Sequence, residues 1–320
     1  MSEIIYSLKN GEQKELQFSL LNTSEVKSIN DIKARIKLQD GRVAMSYSMT
    51  NTFQTCPMKF LEEYINGIKL KTTKTSLAFG AAIHRGLEDW YRGLGVERAI
   101  AQFEQNYEDR ESEELKTKAN GRKIIEQYAV RYPSEAWEVL DIEVPITFEF
   151  TAGIHYVVIP DMVVKQGGRI YGVEHKHTKS ISKNYFRQFK PNQQIDGEVA
   201  GIVAKFGSCD GIIINPIEIQ KGGTRGRPSP AISFGPRDVS TRTEEDLEWW
   251  RRDMIRVHKE IDDTIKGGYF RANKGACHGF EGCQYRELHT QLGDSYIQSE
   301  YYEASDRNNT APIQGGAGDE

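Results

Sequence analysis

Long apolar runs are missing from this 320-residue chain: none approaches the ~20 residues that a membrane-crossing helix needs. Met1 to Asn10 hold no apolar core of the kind a secretory leader carries, so the expected compartment is the cytoplasm, with no membrane partner. Cysteine is scarce, at four residues, which excludes a disulfide scaffold. In a reducing compartment, clustered cysteines read instead as metal ligands or small buried residues. No G-x-x-x-x-G-K-[ST] loop is present, so any nucleotide-driven motor must be another chain. No internal repeat is visible. An excess of positive charge is lacking too: 42 Lys and Arg stand against 46 Asp and Glu, for a net charge of −4. That excludes a surface coated for polyanions but leaves room for a local basic groove, since association follows the local field.

One segment offers such a groove. Between Lys165 and Lys190 lie seven basic residues and a single acid, Glu174, with Tyr185, Phe186 and Phe189 interleaved. Lys179, Lys183, Tyr185 and Arg187 are the candidate nucleic-acid contacts, charges for phosphates and a flat ring for a base. The competing reading is a solvated basic surface with its aromatics turned to the core.

Periodicity divides the chain into helices, then strands, then a helix. A helix is expected after Thr52, with Phe53, Cys56, Pro57, Phe60, Leu61 and Tyr64 on one face, and another through Phe79, Ile83, Leu87 and Trp90. Residues 97–132 read as helical up to Pro133. Val139 to Phe150 and Ile154 to Val164 are rich in β-branched and aromatic residues, as strands are, and Gly167-Gly168 signals a hairpin into a third strand, Arg169 to His177. A helix is expected from about Asn192 to Phe206, then strands at Gly211 to Ile219 and Ala231 to Phe234, separated by a mobile basic loop at 221–230. Thr241 and Glu244 suggest a capping box opening a helix to about Lys266. The order implies an α/β fold, a central mixed sheet flanked by helices with helical additions at both ends.

The chemistry concentrates in IPDMVVKQGGRIYGVEHKHT. The hairpin brings Asp161 and Glu174 to neighbouring strands. Because side chains alternate along a strand, Lys176 shares a face with Glu174 while His175 points away. Two convergent carboxylates suit a hard divalent cation, and an adjacent lysine can orient or deprotonate an attacking water or offset phosphate charge. A bare E-x-K is often only a surface ion pair. Here, however, both acids end apolar stretches, where an unpaired carboxylate is costly.

Pro160-Asp161, followed after twelve residues by Glu174-His175-Lys176, resembles the signature of the PD-(D/E)xK nucleases. SYSMTNTFQTCPMKFLEEY and FGAAIHRGLEDW resemble the opening motif and the G-x-x-x-H helix of the RecB-type exonuclease branch, found in phage, bacteria and CRISPR adaptation. On its apolar helix face His84 alone would read as a packed core residue; the resemblance makes it a metal ligand. NQQIDGEVAG is similar to the branch's Gln-x-x-x-Tyr helix, with Gln194 in place but Glu198 at the tyrosine position. The resemblance implies a restriction-endonuclease-like core. It also implies Mg²⁺ or Mn²⁺ held by His84, Asp161, Glu174 and the His175 backbone carbonyl, with Lys176 and Gln194 completing the catalytic set. The implied activity is DNA hydrolysis leaving a 5′-phosphate. The expected form is an exonuclease on single-stranded DNA or duplex ends, in recombination, repair or phage DNA metabolism, working in a bacterium or an infected host beside a separate helicase or recombination protein. The alternative is a catalytically vestigial DNA-binding or structural subunit.

Cys209 reads as a small buried residue. Cys56, Cys277, Cys283 and His289, with C-x5-C-x5-H spacing and one distant ligand, are a candidate tetrahedral zinc site. Iron–sulfur members of the similar branch clamp a [4Fe–4S] cluster with one early and three late cysteines, so the resemblance implies that cluster as another occupant; His289 stands where those members have cysteine, and a metal-free remnant held by packing is the third reading. The expected organisation is an N-terminal extension at 1–45, with weak helical pattern between Glu12 and Lys37, and a nuclease domain at 46–300. That domain divides into a helical part at 46–135, a catalytic sheet at 136–240 and a C-terminal helix with the cysteine segment at 241–300. A disordered tail is expected at 301–320.

Overall fold

Residues 212–220 are buried almost without alternation, as a strand is when covered on both faces. The covering layers follow from the order of elements in the computed structural model. It describes residues 26–32, 38, 41–71, 75–109, 114–222, 231–278, 282–290 and 301–304, with the backbone of 5–7 and 13–15.

The chain runs β1 (Ile5–Ser7), β2 (Gln13–Glu15), β3 (Ala44–Met45), α1 (Tyr47–Thr55), α2 (Pro57–Phe60), a π-turn at Leu61–Ile65 and β4 (Ile68–Leu70). Three helices follow, α3 (Thr75–Tyr91), α4 (Val96–Gln105) and α5 (Lys118–Arg131). Five strands come next: β5 (Glu138–Ile142), β6 (Ile146–Thr151), β7 (Ile154–Val158), β8 (Met162–Gln166) and β9 (Arg169–Thr178). The remainder is α6 (Gln193–Phe206), β10 (Ile212–Gln220), β11 (Ala231–Phe234), β12 (Asp238–Ser240), α7 (Glu244–Gly267), α8 (Arg286–Thr290) and β13 (Tyr302–Ala304).

The main sheet has the order β11-β10-β9-β8-β5, with β12 also on β10. Within this sheet, among the described residues, β9 and β10 are the one parallel pair, and α6 is the crossover such a pair requires. A smaller sheet, β3-β7-β6, stands beside it. Apolar residues fill two main cores. Phe79, Ile83, Leu87, Phe103 and Tyr128 of α3–α5 pack with Ile217 and Ile219 of β10. Ile195, Val199 and Ile202 of α6 and Trp250, Met254 and Ile261 of α7 pack with Ile212 and Ile214. Odd and even residues of β10 therefore serve opposite layers, and β9 runs between the same two. The expected mixed sheet flanked by helices is what forms.

Several boundaries differ from the sequence reading. The expected helix after Thr52 starts earlier, at Tyr47, capped by the Ser46 side chain, and breaks at Cys56, which has extended backbone before Pro57. Residues 97–132 hold two helices rather than one, α4 ending at Gln105 and α5 beginning at Lys118. The two long strands each split. Val139 to Phe150 divides between the two sheets at Glu143, a non-glycine residue at φ 53, and Ile154 to Val164 divides at Pro160. The capping box of α7 is Thr243 with Asp246, two residues beyond the expected pair Thr241 and Glu244. Tyr302–Ala304, expected within the tail, pairs with β4 instead. The tail from 305 and the basic loop at 223–230 lie outside the described residues. No helix among the described residues is long and apolar enough to cross a membrane.

Candidate active site

Two glycines fold the centre together. Gly167 and Gly168, at φ 58 and 82, make a two-residue hairpin whose twist suits the flanking strands. The β8–β9 register ends with Met162 opposite Val173, so Asp161, just before β8 rather than on the strand as expected, stands beside Glu174. Asp161 is 9 % and Glu174 5 % exposed. The His175 backbone N–H donates to Asp161 Oδ2 at 2.7 Å, and His84 Nδ1 of α3 lies 3.0 Å from Oδ1. On the α6 side, Lys176 Nζ donates to Glu174 Oε1 at 2.5 Å and to Gln194 Oε1 at 3.2 Å. Gln194 Nε2 donates to Glu174 Oε1 at 3.0 Å and to Glu198 Oε1 at 2.8 Å. Helix α6 approaches closely enough for these bonds because it lacks side chains where it crosses the strands. A Cβ on Gly201 would lie 2.4 Å from Val158, and one on Gly197 3.0 Å from Tyr156.

Electrostatics sort the acids. Burial works to raise the Asp161 pKa, but His84 and the His175 N–H hold it well below the usual carboxylate range. Burial, then the neighbouring Asp161, raises Glu174. Burial acts to lower Lys176, yet Glu174 overcomes it and raises it, so the ammonium persists at neutral pH. Burial likewise works against a charged His84, but Asp161 pushes its pKa up to about 9.

The sequence reading missed Glu143. It follows β5, its N–H donates to the Asp161 carbonyl at 3.1 Å, and burial and Asp161 push its carboxyl up to about 7. Ligand atoms of His84, Glu143 and Asp161 all lie within 4.8 Å of one another, and no other such set of three is found among the described residues. A cavity of about 10 Å³, lined in part by these three and His175, lies among them. Carboxylate oxygens with one imidazole suit Mg²⁺ or Mn²⁺ in donor type and charge. Nothing in the local sequence DIEVPI distinguishes Glu143 from a surface acid; only the turn into the second sheet brings it here.

His175, as expected, faces away. Its Nδ1 accepts from Asn215 Nδ2 at 2.8 Å, and burial lowers its pKa to about 3. Asn215 is fully buried and also donates to Tyr128 Oη at 2.7 Å, while Arg237 Nε donates to Asn215 Oδ1 at 3.1 Å. Arg237 pairs with Glu135, which accepts from Tyr91 Oη at 2.5 Å. This network ties α3, α5, β9 and β10 together directly behind the carboxylates.

The structure brings Asp161, Glu174, Lys176, Gln194 and His84 together and separates two other groups from them. Lys179, Lys183 and Arg187 are exposed on the segment after β9. Tyr185 is a correction: it is 8 % exposed, with its ring against Phe186 and Phe189, so it offers no stacking face. Cys56, Cys277, Cys283 and His289 line one cavity of about 260 Å³ between the α1–α2 break and the C-terminal segment. His289 Nε2 lies 3.1 Å from Oε1 of buried Glu62. Cys209 is half-buried and donates to the Gly211 carbonyl at 3.5 Å.

A sequence model of the PD-(D/E)XK nuclease superfamily matches residues 44–288. No curated protein matches the chain. Among solved structures, a Eubacterium rectale protein proposed to be an exonuclease is similar at 16% identity and a TM-score of 0.46, covering 72% of this chain and 85% of its own. A protein named SSO0001 is similar at 14% identity and a TM-score of 0.27, covering 55% and 73%. At those scores the family assignment rests on the sequence match.

The His84–Asp161 pair makes a pH prediction for protein held in EDTA. A histidine whose folded pKa is raised contributes stability that is full below its unfolded value, here 6.5, and is lost as pH rises through about 9. Urea unfolding of the wild type and His84→Gln should therefore differ most near pH 6 and least above pH 9. A difference independent of pH would show that His84 is held by packing alone.

Proposed function

The chain belongs to the PD-(D/E)XK nuclease superfamily, and on that premise we propose that it is a metal-dependent deoxyribonuclease reacting at Asp161, Glu174 and Lys176. The observation that carries this reading is the surplus of desolvated carboxyl groups around one point. Asp161 and Glu143 converge with His84, and Glu174 on β9 is close enough for Asp161 to raise its pKa, with only Lys176 and His84 to balance the three acids. A divalent cation would be the natural counter-charge, and Asp161, Glu174, His84 and the His175 carbonyl would hold it. When bound, Mg²⁺ or Mn²⁺ supplies Lewis acidity at the scissile phosphate and lowers the pKa of water.

The protein's own groups do the rest. Lys176, kept charged by Glu174, orients the attacking water and offsets phosphate charge. Gln194 spans Lys176, Glu174 and Glu198 and fixes the ammonium's position. In-line attack by water forms a new P–O bond as the P–O3′ bond breaks, leaving a 5′-phosphate and a 3′-hydroxyl, with the water's proton lost to solvent and the departing O3′ protonated from solvent. Lys179, Lys183 and Arg187 extend a basic path from the site for a DNA backbone, and the family resemblance favours an exonuclease acting on single strands or ends.

The cysteine cavity is the proposed seat of an iron–sulfur cluster rather than zinc. Zn–S bonds of about 2.3 Å would place tetrahedral sulfurs about 3.8 Å apart. No three of Cys56, Cys277, Cys283 and His289 have ligand atoms within 4.8 Å, whereas a cavity of about 260 Å³ between them suits a larger group. The three thiols would hold it, with His289 as fourth ligand only on leaving Glu62.

Two outcomes test these assignments. Asp161→Ala and Glu174→Ala should each lower Mg²⁺-dependent DNA hydrolysis by at least ~10³-fold, and Lys176→Ala by ~10²-fold or more, in protein that still folds. Near-normal hydrolysis by either carboxylate variant would sink the site. Protein purified without oxygen should carry iron and absorb near ~400 nm, and Cys277→Ser and Cys283→Ser should lose both while Cys209→Ser keeps them. Iron-free protein under those conditions would end the cluster assignment.

A further inference from the structure

The basic segment after β9 lacks what its charges need beside them to hold a single strand, a flat face for a base. Its own aromatics, Tyr185, Phe186 and Phe189, are packed against the core, while Lys183, Arg187 and Lys190 are exposed. An exposed ring does stand at the end of the segment, on α7. Trp249 is 64 % exposed, whereas its neighbour Trp250 is buried against Tyr156 with ring centroids 5.0 Å apart.

Hydrogen bonds that dock the start of α7 onto the segment put Trp249 there. The Phe189 carbonyl accepts from Ser240 Oγ at 2.8 Å and from Arg242 Nη2 at 2.7 Å, and Lys190 Nζ lies 3.4 Å from Asp246 Oδ2. Asp246, Trp249 and Asp253 follow at spacings of three and four, so they share one face of α7. A cavity of about 260 Å³ lies between that face, Lys190 and Pro191, the start of α6 and Gln54 of α1. Two of the acids lining it are answered, Asp196 by Arg242 and Asp246 by Lys190. The Asp253 carboxylate and the Gln54 amide, both exposed, have no hydrogen-bond or ionic partner among the described residues.

An open indole face beside an accessible, unanswered carboxylate and a free amide suits a nucleobase, which offers a π-face to the ring and an amino edge to the acceptors. The volume is below the ~300–1,000 Å³ of sites for larger ligands, which fits one flat base rather than a base pair. Gln193, which lines the cavity, and Gln194, which bonds Lys176 and Glu174, are consecutive on α6, so a base held there lies beside the reacting centre. We propose that this cavity takes one unpaired base of a single-stranded DNA substrate. The base stacks on Trp249 and donates an exocyclic amine to Asp253, and its backbone phosphates lie along Arg187 and Lys190. Cytosine, adenine and guanine carry such an amine and thymine does not. The inference rests on the nuclease reading and deepens it, giving the single strand a base-reading contact next to the site of cleavage.

The test measures binding in EDTA, apart from hydrolysis, with oligo-dC and oligo-dT of equal length. Oligo-dC should bind about tenfold tighter than oligo-dT, and Trp249→Ala should lower oligo-dC affinity about tenfold, the scale of one stacked base. That loss should leave the salt slope unchanged, because stacking releases no counterions, whereas Lys190→Ala should flatten it. Trp249→Phe should keep most of the affinity, and Asp253→Ala should erase the difference between the two oligonucleotides. Both side chains are exposed, so neither change opens a core cavity. No binding, equal wild-type affinity for the two, undiminished binding by Trp249→Ala, or Trp249→Phe as weak as Trp249→Ala overturns the proposal. If the pattern is present but Mg²⁺ supports no hydrolysis, the nuclease reading fails and the base site stands; hydrolysis without the pattern ends the base site alone.

Discussion

The burial of Asp161 beside Glu174 is the constraint from which the rest of the centre follows. Two carboxylates removed from water, one just before β8 and one on β9, cost several kcal/mol each unless something charged or hydrogen-bonded answers them. The protein answers each from a different side. Asp161 receives a backbone N–H from β9 and an imidazole from α3; Glu174 receives an ammonium from its own strand and an amide from α6. The answers are incomplete, since Glu143 adds another acid and Glu174 is pushed toward its neutral form. A site left short of positive charge is prepared for a cation, which is what the chemistry of phosphodiester hydrolysis needs.

That arrangement explains several features of the fold that have no other evident purpose. The Gly167-Gly168 turn fixes the register that sets Asp161 next to Glu174. Gly197 and Gly201 let α6 lie close enough for Gln194 to reach both Lys176 and Glu174. Behind the strand, Asn215 and Arg237 lock the His175 ring, so the backbone on which Glu174 and Lys176 are hung has little freedom to shift. The two cores on opposite faces of β9 and β10 supply the stiffness, and the polar groups between them supply the aim.

Much of the centre was legible in the sequence because it depends on period-two alternation and one glycine turn. Asp161, Glu174, Lys176 and the outward turn of His175 follow from those alone; His84 and Gln194 needed the resemblance, since a histidine on an apolar helix face looks like core. What stayed hidden was set by distant segments. Glu143 arrives through a left-handed residue at the passage between two sheets, and Asn215 matters only because parallel pairing sets it opposite His175. Tyr185 shows the reverse error: aromatics among lysines look like a stacking strip, but their apolar area is better used against the core. The strand splits at Glu143 and Pro160 were similarly invisible, because both halves carry the same β-forming composition.

Anomalous X-ray scattering from crystals soaked in Mn²⁺ tests directly whether a divalent cation completes the Asp161–Glu174 pair. The strongest peak is expected within about 2.0–2.2 Å of a carboxylate oxygen of each residue, close to the oxygen-ligand distance of the similarly small Mg²⁺. A saturated ion bound elsewhere, or none between these carboxylates, would contradict it.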